Sequence, residues 1–124
     1  TALAELEILR RLGETEVKNS IRLAKLALRF DDKNFGARRV LGRLYSLGAN
    51  LARGQLNRDN AELAVGEWNK VTELDPRNTE AWAFLSVLYE KLGEQEKRIE
   101  ALRKWVSSSG AIESQYYQFI VGVS

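Results

Sequence analysis

The chain has no cysteine, no histidine and no methionine, and one proline, Pro76, in 124 residues. The missing thiols exclude disulfides, thiolate zinc sites and cysteine nucleophiles. The missing imidazoles remove the commonest general base. No run approaches the roughly 18 apolar residues of a membrane-spanning helix, and no secretory leader pattern opens the chain. Lacking an initiator methionine, the chain reads as a processed or excised fragment. No phosphate loop is present: "GARRVLGR" lacks both the spacing and the Lys-Ser/Thr ending. No Asp-rich calcium loop is found, and no two carboxylates stand out as a pair with divergent acidities. These absences point to a protein that is not an enzyme, with no cofactor, no metal and no small-molecule substrate. They leave the compartment open between cytoplasm and bacterial cell envelope.

At 44% hydrophobic and 29% charged residues, the composition is that of one soluble domain, 1–124. The net charge of +2 is unevenly spread: residues 1–60 carry 12 Lys/Arg and 7 Asp/Glu, and residues 61–124 carry 7 and 10. This is not basic enough to argue for nucleic acid.

The chain matches itself at an offset of 44 residues. "FDDKNFGARRVLGRLY" (30–45) falls on "LDPRNTEAWAFLSVLY" (74–89), with six identities in sixteen positions: Asp31/Asp75, Asn34/Asn78, Ala37/Ala81, Leu41/Leu85, Leu44/Leu88 and Tyr45/Tyr89. Asp75-Pro76 ends a helix, because proline cannot continue one. Asn78 or Thr79 is then the N-cap of the next. Trp82, Leu85, Leu88, Tyr89 and Leu92 follow at helical spacing, and Gly93 sits where a helix end needs a left-handed residue. A second helix follows, with Ile99, Leu102 and Val106 inward and Glu94–Arg98 and Glu100–Lys104 as outer i, i+4 pairs. The unit is a helix, a tight turn and an antiparallel helix.

This unit resembles the tetratricopeptide repeat, a helical hairpin of about 34 residues. Trp82, Leu85, the small Ser86, Tyr89 and Leu102 match the family pattern. Arg98 and Trp105 stand where the family has alanine, and Gly110 where it has proline, so atypical packing of this second helix is expected. The preceding unit supplies Leu41, Gly42, Tyr45, Ala64, Trp68, Val71 and Pro76, with about ten extra residues near 48–59. Leu47 and Leu51 continue the helical period, which predicts a first helix running to about Arg53, ended by Gly54. Asp59-x-x-Glu62 reads as a capping box. In residues 1–33, Leu3, Leu6, Leu9 and Leu12 predict a short helix, Gly13 a turn, and Val17, Ile21, Ala24 and Leu28 a second helix. Residues 111–122 read as a terminal helix.

The resemblance implies an all-α superhelical solenoid of antiparallel hairpins, at about 1–33, 34–76 and 77–109, with the terminal helix making about seven helices. It also implies a scaffold or adaptor that binds a protein or peptide in its concave groove. The groove positions would be Gly36, Arg39, Arg43 and Ser46 on one helix, Glu80, Ala83, Val87 and Glu90 on the next, and Ser114, Tyr117 and Val121 on the last. A groove that is basic in its middle, with an apolar strip beside it, suits a partner with acidic and apolar anchors. The family's two-carboxylate clamp is not carried over, since Arg43 stands where it needs asparagine. The aromatic residues Trp68, Trp82, Tyr45 and Tyr89 read as core.

Two alternatives remain open. The apolar end with Trp105, Tyr116, Phe119 and Ile120 would serve self-association or continuation into further repeats. The basic stripe Arg22, Lys25 and Arg29 would serve nucleic acid or anionic lipid, although no aromatic residues interleave it for base stacking.

Overall fold

The computed structural model describes residues 2–51 and 55–109. Among them the chain is all-helical, with five helices: α1 (Ala2–Phe30), α2 (Phe35–Gly48), α3 (Arg58–Leu74), α4 (Thr79–Leu92) and α5 (Gln95–Ser109). Each helix packs on its neighbours in sequence, and α4 also touches α2. No helix among the described residues is long and apolar enough to cross a membrane.

Helix starts follow from local chemistry. The Asn34 and Asn78 side chains accept from the backbone N–H groups of Ala37 and Ala81, at 3.0 and 2.8 Å. The preceding turns are braced alike. Asp31 Oδ1 accepts from Lys33 N–H, and Asp75 Oδ1 from Arg77 N–H. Each cap satisfies a donor that the first turn leaves without an intrahelical acceptor. Asn78→Ala is therefore expected to cost about 1 kcal/mol of stability, with most of it restored in Asn78→Ser, as read by urea denaturation. At the other end of α4, Gly93 takes φ 79°, and Glu94 N–H bonds back to Tyr89 O at 2.9 Å, closing a Schellman end.

The core combines small and large residues: Ala24 of α1; Ala37, Leu41 and Tyr45 of α2, with Ala49 just after it; Ala61, Ala64, Trp68 and Val71 of α3; Ala81, Leu85, Leu88 and Tyr89 of α4; and Ala101 of α5. Trp68 is fully buried. Its indole N–H donates to Ser46 Oγ at 3.0 Å, and its ring stacks on Phe84 with centroids 4.9 Å apart. α2 and α3 run antiparallel: Arg38 pairs with Glu67 at 3.0 Å, and Asn60 Nδ2 donates to Gly48 O, nearer the other end, at 3.0 Å. α4 and α5 do the same, with Thr79 bonded to Ser108 and Lys97 set over the Tyr89 ring.

Several sequence expectations are corrected. Residues 2–30 form one helix, not a hairpin turning at Gly13. Glycine inside a helix costs only about 1 kcal/mol relative to alanine, and here Glu7 and Arg11 pair at 3.3 Å just before it. Among the described residues, 1–33 therefore supply one helix where two were expected; the expected terminal helix at 111–122 lies outside the described residues. α2 ends at Gly48, short of Arg53. The Asn60 amide caps the Gly48 carbonyl, Asn50 turns into the left-handed region at φ 60°, and Asn57 N–H bonds Ala49 O at 3.0 Å. The cap of α3 is Asn57, not Asp59, and its side chain accepts from Asn60 N–H. Trp82 packs against the core at its edge, half-buried, and its N–H donates to Pro76 O at 2.8 Å. Glu94 pairs with Lys97 at 3.3 Å, while Arg98 donates to Gln95. In α5 the buried position is Ala101, with Arg98, Ile99, Leu102, Trp105 and Val106 half-buried.

Candidate partner-binding face

Arg39 and Arg43 lie four residues apart, so one face of α2 presents both. Glu80 lies in the first turn of α4, where a carboxylate is favoured by the helix dipole and where Asn78 fixes the backbone. Because α2 and α4 touch, Glu80 is brought between the two guanidinium groups. Arg39 Nε donates to one carboxylate oxygen at 3.2 Å. Arg43 donates to the other through Nε at 2.8 Å, with a second nitrogen at 2.7 Å. Arg39 also lies over the Phe35 ring, 5.6 Å from its centroid, in cation–π geometry.

The side chains are 34%, 47% and 30% exposed for Arg39, Arg43 and Glu80, so water weakens both ion pairs and neither contributes much stability. Two cations share one anion, which leaves a net positive charge at the α2–α4 junction.

Beside this fork lies a depression of about 580 Å³, lined by Arg43, Leu44, Ser46, Leu47, Asn50, Leu51 and Phe84. Leu47 is 67% exposed at its rim. Ser46 lies at its floor, buried, with its hydroxyl already accepting the Trp68 N–H. It therefore acts in the core and is not a free polar contact.

The other described residues expected in the groove do not line this depression. Val87 and Glu90 are exposed, and Ala83 is half-buried. Tyr117 lies outside the described residues, as do Tyr116, Phe119 and Ile120 of the expected self-association end; Trp105 is half-buried. The stripe Arg22, Lys25 and Arg29 is exposed on α1, where with Lys18, Ile21 and Leu26 it lines a shallow hollow of about 660 Å³.

Sequence reasoning missed Phe84 and Asn50 as members of the face. It also missed the division of labour among consecutive arginines. Arg38 turns the other way, to Glu67 and to the Asp32 carbonyl, and ties α2 to α3 and to the turn before it. The helical spacing of Arg38 and Arg39, about 100° apart, was the available signal.

No protein-family model matches the chain, and comparison with curated proteins finds no match.

Proposed function

We propose that the chain is a tetratricopeptide-type adaptor, a superhelical solenoid segment that captures a peptide of a partner protein along the face shared by α2 and α4. The supporting observation is the juxtaposition of the Arg39–Glu80–Arg43 fork with the apolar depression around Leu47, Leu51 and Phe84. A partner segment with a carboxylate beside a large apolar side chain fits it. The carboxylate competes with Glu80 for the guanidinium groups, which bind planar anions in bidentate geometry. The apolar side chain fills the depression and removes Leu47 from water. Most of the face is built on α2 and α4, so little ordering of those residues is needed on binding.

The test is affinity capture from the source cell's lysate with the native chain, Arg39→Glu/Arg43→Glu and Glu80→Gln. A partner held by the native chain is expected to fall by about tenfold or more with the double reversal, the effect of about 1.4 kcal/mol. It should be held at least as well by Glu80→Gln, which frees both arginines. Equal retention by all three folded proteins reduces the arginines to a solvated face and overturns the reading.

A further inference from the structure

We propose that the partner side chain filling the depression beside the fork is aromatic, and that it packs ring against ring on Phe84. It thereby extends the pair that Phe84 makes with Trp68. This rests on the peptide-binding reading and names the anchor that the partner must carry.

A depression walled by leucines takes any apolar side chain, so Leu44, Leu47 and Leu51 do not select one. Two other lining groups do. The first is Phe84, which is half-buried. Trp68 lies against one face of its ring, with centroids 4.9 Å apart and planes 8° from parallel. The part of the ring that reaches the depression is therefore its second face or its rim. Both favour an aromatic partner, offset-stacked on the face or edge-on at the rim.

The second group is Arg43. It is 47% exposed, lines the same depression and holds Glu80 through Nε and a second guanidinium nitrogen. A cation at the wall attracts the face of an aromatic ring, and a saturated side chain has no such face. One turn earlier on the same helix Arg39 already makes this contact, 5.6 Å from the centre of the Phe35 ring.

The platform is in place before a partner arrives. Trp68 is fully buried, and its N–H is held by Ser46 Oγ at 3.0 Å. The ring behind Phe84 thus has little freedom left to lose on binding. Arg43 belongs to both fork and depression, so the carboxylate and the ring must lie close together in the partner. The segment recognised is an acidic residue next to phenylalanine, tyrosine or tryptophan.

Two probes decide the matter: the peptide acetyl-Glu-Phe-amide, and the same peptide with cyclohexylalanine in place of phenylalanine. Charge and length are matched. The saturated ring has the larger apolar surface, so burial alone favours it. NMR titration of the nitrogen-labelled native chain should shift the amides around Leu47 and Phe84. It should give the phenylalanine peptide a Kd lower by about threefold or more. Phe84→Leu keeps the wall apolar but removes the ring. It should cut that ratio by about twofold or more, with helical circular dichroism unchanged. The comparison on the native chain stands even if this variant fails to fold. The proposal is overturned if the cyclohexylalanine peptide binds equally or more tightly, if neither peptide shifts these amides, or if the ratio survives in folded Phe84→Leu. An aliphatic preference leaves the peptide-binding reading in place. Failure of that reading shows separately, as equal retention of lysate proteins by the Arg39→Glu/Arg43→Glu chain.

Discussion

Replacing Trp68 with alanine is expected to lower stability by about 3–5 kcal/mol, a large part of the roughly 5–15 kcal/mol that separates a native domain from its unfolded chain. The indole is fully buried and joins three helices. It belongs to α3, donates to Ser46 of α2 and stacks on Phe84 of α4. Truncation opens a cavity that two flanking helices cannot both close. It also strips the buried Ser46 hydroxyl of its donor. Urea denaturation followed by far-ultraviolet circular dichroism measures the loss. Trp68→Phe should fall between the two proteins, since it keeps most of the apolar surface but not the N–H. A loss below about 1 kcal/mol for alanine would mean that this ring is not the centre of the core.

The second large effect has an unusual sign. Glycine to alanine inside a helix ordinarily stabilises by about 1 kcal/mol. At Gly42 a methyl group would stand 2.7, 2.8 and 3.0 Å from three atoms of the Trp68 ring. The ring cannot retreat, because Phe84 and Ser46 hold its other surfaces. Gly42→Ala is therefore expected to destabilise by about 1–3 kcal/mol, as overpacking does. Gly66, on the exposed side of α3, has nothing within 4 Å of its would-be methyl group. Gly66→Ala should follow the ordinary rule and gain stability by up to about 1 kcal/mol. The same substitution at two helical glycines then moves the urea midpoint in opposite directions. Combining Gly42→Ala with Trp68→Phe should give less than the sum of the two losses, because the smaller ring relieves the clash. Losses that simply add would show that ring and glycine do not meet.

Much of the helical layout was legible because it is written in local chemistry. Asn34, Asn78 and Gly93 mark helix ends by the hydrogen bonds and the backbone angle that their side chains, or the lack of one, permit. Leu41, Tyr45, Leu85 and Tyr89 lie on the stripes that the period of 3.6 predicts. Gly13 was ambiguous for a physical reason: a glycine ends a helix only when the flanking chain gains by turning, and among the described residues, 2–12 form no hairpin with 14–30. Leu51 extended the apolar period beyond the helix that ends at Gly48, so periodicity alone overran the true end. The fork was half-visible. The spacing of Arg39 and Arg43 puts them on one face of α2, but their meeting with Glu80 depends on the approach of two helices some 37 to 41 residues apart in sequence. No spacing rule within one helix carries that information.

The turn between α2 and α3 has both feet tied, by Asn57 N–H to Ala49 O and by the Asn60 amide to Gly48 O. The ends of this excursion are thus joined by hydrogen bonds that do not depend on how many residues lie between them. For a flexible loop, doubling its length costs only about 0.6 kcal/mol. This position is where the chain can accept inserted sequence, whether by evolutionary drift or by grafting a reporter, without the helices on either side registering the change.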